Sequence, residues 1–234
     1  MKKFFKNIIK RQLGRRGLKV VSENYRPIRE IHNLGRDYHL NIFENDFTND
    51  FIRLSLLDLA VDEIKQKKIE GAIAELGVYQ GHFASVLNRC FRDRKLFLFD
   101  TFEGFSKEEE LHDKDNFGMV HERDFSDTSL ESVMAKMPNQ DNCVPRKGFF
   151  PETTTGLESE LFAFVSIDTD LYLPIKSGLD FFYDRLAPGG FIFVHDYTNS
   201  AFPGARQAVN EFSTSRGIPF VPVCDWFGSA IFRK

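Results

Sequence analysis

The sequence predicts an α/β fold, a doubly wound and mainly parallel sheet that carries an antiparallel hairpin at its C-terminal edge. Short apolar runs of strand length alternate along the chain with stretches of helical periodicity, the order that builds parallel crossover units. Four of these runs end in or beside an acidic residue. The last two runs, 219–223 and 229–232, have no helix between them. Sites in such sheets lie at the carboxyl ends of the strands, so the acids mark the region where function is expected.

The chain begins with a basic stretch. Residues 1–20 contain eight lysines and arginines and no acid. Apolar residues fall on one face of a helical pattern there, at Phe4, Phe5, Ile8, Ile9 and Leu13. This amphipathic helix could lie on an anionic membrane surface, or it could dock on its own domain or on a second copy in a homodimer. It lacks the continuous apolar run of a secretory signal. We expect residues 1–50 to be this helix with an irregular extension, and 51–234 to be the functional domain.

Composition limits the classes of function. Eight of the 31 bases lie in residues 1–20, which leaves 23 bases against 34 acids in the rest of the chain. An acidic body argues against a nucleic-acid partner. The three cysteines are far apart and form no C-x-x-C pair, which predicts neither disulfides nor a zinc site. Since no long apolar run is present, we expect a cytoplasmic protein with at most peripheral membrane contact through residues 1–20.

A helix over 51–68 leads into a strand, a tight turn and a new helix. In the stretch A-E-L-G-V-Y-Q-G-H-F, residues 74–83, two glycines let the backbone turn sharply and let a ligand approach the main chain. Glu75 could bind a ligand's hydroxyls or ammonium, and Asp100 ends the next strand at the spacing that meets a ribose. The dinucleotide fingerprint needs a third glycine, so another adenosyl ligand is favoured. The predicted cofactor-binding residues in this part of the chain are Glu75, Gly77, Tyr79, Gly81, Asp100 and Thr101.

The segment 101–125 is long, charged and punctuated by aromatic residues, so we predict a loop that acts as a lid. A Thr-Ser-Leu-Glu capping box then predicts a helix from residue 128 to Met137. Residues 143–147 are a strand candidate with a loop over 148–153 at its exit. Loop phenylalanines that could wall an aromatic pocket are Phe102, Phe105 and Phe150.

Two apolar runs, 161–167 and 191–194, predict buried neighbouring strands whose ends bring Asp168 close to His195 and Asp196. Carboxylates at one edge repel one another unless a cation or proton lies between them. An oxygen-rich, thiol-free site suits Mg²⁺ or Mn²⁺, and a hydroxyl on such a metal gives its proton to a spare carboxylate more easily. The alternatives are purely structural roles. Each Asp could cap a helix, and His195 could simply form hydrogen bonds with its neighbours. The remaining predicted elements are a helix over 174–186, a turn over 187–190 and a helix over 204–213.

Seven motifs from about Phe51 to the C-terminus resemble, in order, the macrocin O-methyltransferase (TylF-type) family of class I S-adenosylmethionine-dependent methyltransferases. They are A-E-L-G-V-Y-Q-G, L-F-D-T-F-E-G-F, D-T-S-L-E-S-V, G-F-F-P-E-T, S-I-D-T-D-L-Y, L-A-P-G-G-F-I-F-V-H-D-Y and G-A-R-Q-A-V-N-E-F. The resemblance implies a Rossmann-like sheet, S-adenosylmethionine as cofactor, and Mg²⁺-assisted methylation of a sugar hydroxyl on a glycosylated small molecule.

The same resemblance implies a role for each matched residue. Glu75, Gly77 and Gly81 would contact the methionine moiety and form the turn, and Asp100 would hold the ribose hydroxyls. Asp170 would lie near the cofactor's amino end, as the second acid does in the similar D-x-D motif of catechol-type O-methyltransferases. Asp168 would be a metal ligand and the general base, and Asp196 a further metal ligand. From its own chemistry and its place beside them, His195 is also predicted to be a catalytic residue and a metal ligand.

One departure from the family concerns the end of the fifth strand, where the family commonly has Asp-Asp and this chain has His195-Asp196. A neutral imidazole can bind Mn²⁺ or a later metal better than Mg²⁺, or it can act as the base with no metal.

Two other functions fit parts of the sequence. Tyr172 and Lys176 have the Tyr-x-x-x-Lys spacing of a hydride-transfer pair, as in an NAD(P)-dependent oxidoreductase, although Pro174 lies between them and marks a helix start. The basic N-terminus also allows a non-catalytic methyltransferase-like protein that is tethered to a membrane or to a glycan-assembly complex.

Overall fold

The central sheet has seven strands in the order β3-β2-β1-β4-β5-β7-β6. The computed structural model describes residues 50–119 and 123–234. The strands are β1 Ala72–Leu76, β2 Leu96–Asp100, β3 Cys143–Lys147, β4 Phe162–Ile167, β5 Leu186–Val194, β6 Val221–Val223 and β7 Ser229–Arg233. The first five are parallel, whereas β7 runs antiparallel to β5 and to β6. The predicted doubly wound sheet with a C-terminal antiparallel hairpin is confirmed.

Helices connect the parallel strands. They are α1 Phe51–Gln66, α2 His82–Cys90, α3 Lys107–Phe117, α4 Leu130–Met134, α5 Tyr172–Asp184 and α6 Pro203–Arg216. None of them, within the ranges just given, has both the length and the apolar character that a membrane span needs. The predicted basic helix over 1–20 and the irregular extension up to residue 49 lie outside the described residues.

The core lies on both faces of the sheet. Every residue of β1 and of β4 is buried, as expected for parallel strands that helices cover on both sides. Phenylalanine rings fill much of the space between sheet and helices. The ring of Phe182 on α5 lies 5.1 Å from that of Phe162 and 5.6 Å from that of Phe99, both edge-on. Such contacts fix the sheet and hold the strand ends in place.

The prediction of a continuous loop over 101–125 is wrong, because α3 forms within it. The Ser106 side chain accepts hydrogen bonds from the backbone N–H groups of Glu108 and Glu109, and Gly118 ends the helix in the left-handed conformation. The helix has almost no apolar face and is held instead by Asp113. This fully buried carboxylate accepts the backbone N–H of Tyr172 at the start of α5. A hydrophobic pattern therefore could not indicate α3, although its two caps could.

Element boundaries also differ from the prediction, most clearly at α4 and β5. The capping box of α4 pairs Ser129 with Ser132, so the helix is shorter than 128–137. Thr128 instead donates its hydroxyl to the carbonyl of Tyr79. Residues 187–190 are not a turn before the strand but an irregular part of β5, where the register against β4 shifts. The backbone of Lys234 holds this part, since its carbonyl accepts from Gly189 N at 2.7 Å and its N–H donates to Gly190 O.

Candidate functional site

A cavity of about 550 Å³ opens at the carboxyl ends of the parallel strands. This volume lies within the range of small-molecule sites. The predicted site residues that line it are Glu75, Gly77, Tyr79, Asp100, Thr101, Asp168, Asp170, His195 and Asp196. Gly81 is not in the lining. A Cβ there would lie 2.8 Å from the side chain of Val133, so this glycine serves the packing of α2 against α4.

The turn between β1 and α2 forms one wall of the cavity. Gly77 has a φ of +85°, and a Cβ at this position would lie 2.2 Å from the carbonyl oxygen of Asp168. Asp100 shapes the same turn, since its Oδ2 accepts from the backbone N–H groups of Val78 at 2.6 Å and Tyr79 at 2.8 Å. Its Oδ1 accepts from Phe102 N at 2.6 Å. The carboxylate thus has a structural role, which the sequence analysis missed, besides the ribose contact predicted for it.

Glu75 lines the cavity and is only 1% exposed. Its Oε2 has no hydrogen-bond partner among the described residues, and the same holds for Oγ1 of Thr169, which also lines the cavity. Burial, and then the charge of Asp168, raise the pKa of Glu75 well above its ordinary value, while Arg53 acts in the opposite direction. Buried polar atoms without partners are costly, so the two atoms indicate a polar or cationic ligand that fills this space.

Asp168 and His195 form a tight pair at the ends of β4 and β5. Nδ1 of His195 lies 3.1 Å from Oδ1 of Asp168 and 2.7 Å from Oδ2 of Asp196. Burial works against charge at both groups, but their mutual attraction outweighs it. The attraction to Asp168 raises the pKa of His195 to about 10. The attraction to His195, together with that to Arg53, holds the pKa of Asp168 well below its usual range. The structure therefore brings together the two predicted catalytic residues as an ion pair.

The backbone of two acids at this edge is unusual. Asp170 and Asp196 have φ values of +62° and +61°, a region that residues other than glycine rarely adopt. Asn199 holds Asp196 in place, with Nδ2 donating to Oδ1 at 2.6 Å. Burial, and then the charges of Asp196 and Asp168, raise the pKa of Asp170 well above its ordinary value. The turn after each of these two strands thus contributes an acid with unusual backbone geometry to the lining of the shared cavity.

Arg53 of α1 is the site residue that sequence reasoning missed. Its Nη1 donates to Oδ2 of Asp168 at 2.9 Å and its Nη2 donates to Oγ of Ser166 at 3.2 Å. The guanidinium lies 4.1 Å from the centre of the Phe83 ring, and the residue is 9% exposed. A buried cation thus stands directly beside the predicted base. The available signal was a single arginine among the leucines of α1, which cannot reveal the partner.

Asp168, His195 and Asp196 each offer a ligand atom, and these atoms lie within 4.8 Å of one another. Two carboxylates and an imidazole fit Mn²⁺ or Mg²⁺ in the chemistry of the donors. Part of their charge is already balanced by Arg53, whose guanidinium occupies one oxygen of Asp168.

The Tyr-x-x-x-Lys pair lies elsewhere. The hydroxyl of Tyr172 donates to Glu211 at 2.5 Å and accepts from Lys176 at 3.1 Å, and neither Tyr172 nor Lys176 is among the cavity-lining residues. The geometry therefore does not support the oxidoreductase alternative.

Comparison with known proteins gives a consistent result. The family model described as Macrocin-O-methyltransferase (TylF) matches residues 48–234. The mycinamicin III 3''-O-methyltransferase of Micromonospora griseorubida is 30% identical over 181 residues, which are 71% of this chain and 69% of that protein. The 8-demethyl-8-(2,3-dimethoxy-alpha-L-rhamnosyl)-tetracenomycin-C 4'-O-methyltransferase of Streptomyces olivaceus is 28% identical over 78% of this chain and 72% of that protein.

Solved structures share the fold. The O-methyltransferase NovP superposes with a TM-score of 0.68 at 22% identity, covering 78% of this chain and 79% of that one. The calicheamicin methyltransferase CalS11 superposes with a TM-score of 0.59 at 17% identity, covering 91% of this chain and 94% of that one.

Proposed function

Since the chain belongs to the TylF macrocin-O-methyltransferase family, we propose that it transfers the methyl group of S-adenosylmethionine to a sugar hydroxyl of a glycosylated small molecule. The family membership confirms the resemblance read from the seven motifs and, with it, the prediction of an O-methyltransferase. The cofactor, the acceptor and the roles of individual residues form the proposal.

One observation supports it most directly. The partnerless Oε2 of Glu75 and the Asp168–His195 ion pair face the same cavity. The first suits a ligand with donor or cationic groups, and the second suits a reaction that moves a proton. When bound, S-adenosylmethionine supplies an electrophilic methyl group on a sulfonium cation. A cavity lined by several carboxylates is a favourable place for such a cation.

Glu75, Gly77 and Asp100 are proposed to bind the cofactor. Gly77 keeps the turn open to a ligand, Glu75 accepts from its ammonium, and Oδ1 of Asp100 has one lone pair left for a ribose hydroxyl. Tyr79 and Thr101 line the same wall, and Asp170 lies at the amino end of the cofactor in this arrangement. Gly81 contributes indirectly, because it allows α2, which follows the cofactor-binding turn, to pack closely against α4.

Asp168 and His195 are proposed to take the acceptor proton. As the acceptor oxygen forms its bond to the methyl carbon, its proton moves to a carboxylate oxygen of Asp168, because Nδ1 of His195, 3.1 Å from Oδ1, already carries a proton in the ion pair. Asp196 contacts the same Nδ1 at 2.7 Å and orients the imidazole, and Asn199 orients Asp196 in turn. The aromatic residues around the cavity, including Phe105 and Phe202, exclude water from the reacting groups. We assign α3 and its flanking residues the role of the lid.

A divalent cation would be held by Asp168, His195 and Asp196, and it would lower the pKa of the acceptor hydroxyl. We assign no step to it, because Arg53 already supplies positive charge beside Asp168. The proposed setting for the reaction is the cytoplasm.

The acceptor class rests on the relatives. Their names include a mycinamicin and a rhamnosyl-tetracenomycin, which are glycosylated small molecules. A cavity of about 550 Å³ with an open mouth fits a cofactor together with one sugar ring, while the rest of the acceptor stays outside.

The proposal is tested in two stages with the full chain. Calorimetric titration of S-adenosylmethionine and S-adenosylhomocysteine, after chelation and again with Mg²⁺ or Mn²⁺, measures cofactor binding, and NAD(H) serves as the contrast. We expect micromolar binding of both sulfur compounds and none of NAD(H). The cofactor labelled with ¹³C in its methyl group is then incubated with a panel of deoxysugar glycosides, and a new O-methyl signal in the NMR spectrum identifies transfer. Binding of NAD(H) alone would overturn the proposal. Cofactor binding without transfer to any glycoside would favour the non-catalytic alternative.

A further inference from the structure

Two aromatic side chains stand at the mouth of the cavity, in the loop between β6 and β7. Trp226 is 56% exposed and Phe227 is 49% exposed, and their ring centres lie 5.7 Å apart. Phe227 also lines the cavity, with its ring edge-on to that of His195 at 6.2 Å. We call these two residues the aromatic lip. The lip thus extends from the proposed proton-accepting pair, Asp168 and His195, to the solvent.

The backbone of the lip is strained and tightly held. Phe227 has a φ of +67°, which is a real outlier for a bulky residue. Its carbonyl accepts from the backbone N–H and the hydroxyl of Thr198, at 3.0 and 2.8 Å. The N–H of Trp226 donates to Asp50, the residue that caps α1. Strain that the surroundings maintain in this way is concentrated at functional sites, which makes the exposed ring a candidate for one.

The position of the lip separates it from the proposed cofactor residues. Because β7 is antiparallel to β5, the loop that precedes it lies beside the carboxyl end of β5, next to His195. Asp100 lies on β2, four strands from β7 in the sheet order, and neighbouring strands are roughly 4.8 Å apart. The lip therefore borders the half of the cavity that the cofactor residues leave to the acceptor.

We propose that the aromatic lip binds the sugar ring of the acceptor, an inference that rests on the proposed function. The C–H groups on one face of a pyranose carry partial positive charge and pack on the negative face of an aromatic ring. A sugar ring that is stacked on Phe227 directs its hydroxyls past the lip, toward His195 and Asp168. Trp226 lies farther out and packs against the group that the sugar is attached to. The lip thus selects glycosides and places one ring hydroxyl at the reacting centre.

The chain carries its own reporter for this contact, since Trp226 is its only tryptophan. Phenyl α-L-rhamnoside and phenyl β-D-glucoside are titrated into the full chain saturated with S-adenosylhomocysteine, and the tryptophan emission is followed. We expect saturable quenching by at least one glycoside. Phe227→Ala should weaken that binding by roughly five- to tenfold, whereas Phe227→Tyr should retain it. Val221→Ala is the matched control, because Val221 is 63% exposed on the same hairpin and does not line the cavity.

Calorimetry with S-adenosylhomocysteine, performed first on every variant, keeps the possible failures distinct. Equal cofactor affinity in the parent and in Phe227→Ala shows that the variant is folded. If glycoside affinity is then unchanged by Phe227→Ala, or if neither glycoside quenches the emission of the cofactor-loaded parent, the lip is not the sugar-binding surface. If the parent binds no S-adenosylhomocysteine at all, the proposed function itself fails and this inference fails with it.

Discussion

At the scale of single residues, the negative charge of the acids around Asp168 is partly balanced by one buried guanidinium, that of Arg53. Arg53 contacts Asp168 directly and lies near enough to Glu75 and Asp196 for their charges to favour its cationic form. An arginine stays protonated at any pH at which the protein is folded, so it is a permanent cation among these acids. It would therefore compete with a divalent metal for the same carboxylates.

Replacement of this cation tests the competition. Arg53→Met keeps the length and apolar contacts of the side chain but removes the charge, so Asp168 is left beside His195 alone. We expect the variant to bind Mn²⁺ more tightly, roughly tenfold, and to lose about 3 kcal/mol of unfolding free energy, since a buried ion pair loses one partner. Electron paramagnetic resonance measures free Mn²⁺, and urea unfolding measures the stability. Arg53→Lys keeps the charge and serves as the control, and a Mn²⁺ affinity that is equal in all three proteins would argue against competition.

The role of Asp168 has its own test. Asp168→Asn preserves the shape of the side chain but removes the negative charge that attracts the proton on His195. We expect turnover on any accepted glycoside to fall by roughly 10²- to 10⁴-fold. Cofactor affinity should change little, because Asp168 itself is not among the proposed cofactor contacts. The measurements are methyl transfer from labelled cofactor and calorimetric binding, and a fully active variant would remove Asp168 from the mechanism.

These residues also show how far sequence reasoning reaches at a site. Acids at strand ends could be predicted, because apolar runs reveal the strands and parallel strands gather their ends at one edge. Arg53 could not be predicted, because its partner is 115 positions away and the helix pattern gives no direction across the sheet. The hydrogen bonds that Asp100 accepts from the turn were missed for a similar reason, since they depend on atomic positions within a tight loop.

Helix α3 is the element proposed as the lid of the cavity. Glu109 lies on it, lines the cavity and is half-buried. Burial, and then the charge of Asp113, raise the pKa of Glu109 to about 7, although its bond with Ser106 acts in the opposite direction. The lid element therefore carries a group that changes charge near neutral pH.

The sign of the resulting pH dependence follows from linkage. The folded pKa is above the unfolded one, so the folded protein holds the proton over a range in which the unfolded chain has lost it. The stability that protonated Glu109 contributes is complete below the pKa that Glu109 has in the unfolded chain. It disappears as the pH rises through about 7, the pKa of Glu109 in the folded protein. We expect urea unfolding at pH 5 and pH 8 to show a smaller loss of stability with pH in Glu109→Gln than in the parent. Glu108→Gln, at the exposed neighbouring position, is the control and should match the parent. Identical pH dependence in all three proteins would contradict the assignment.

The elements of the sheet were predicted better than the polar helix. The central strands β1 and β4 are largely apolar runs, which a pattern reveals, and the hairpin follows from two runs with no helix between them. In α3 the first turn has three glutamates, and the helix depends on its caps and on the buried Asp113 rather than on an apolar face. The irregular part of β5 was missed because Pro-Gly-Gly is more typical of turns than of a strand.

On the scale of the whole molecule, the chain combines an acidic domain with a basic first segment. The role of residues 1–20 stays a prediction. We expect their removal to reduce sedimentation with anionic vesicles, while the melting temperature and cofactor affinity of the remaining chain stay unchanged. Neutral vesicles are the control for electrostatic attraction. Loss of a dimer on size exclusion, with vesicle binding unaffected, would instead assign the segment to contact between two copies.

The abundance of carboxylates around Glu75 has a consequence for the reaction cycle. Methyl transfer turns a sulfonium cation into a neutral thioether, so the cofactor loses one positive charge at the moment the product forms. An acidic cavity attracts the first form more strongly than the second. In the proposed reaction, the same side chains would therefore favour both the loading of the cofactor and the departure of its spent form.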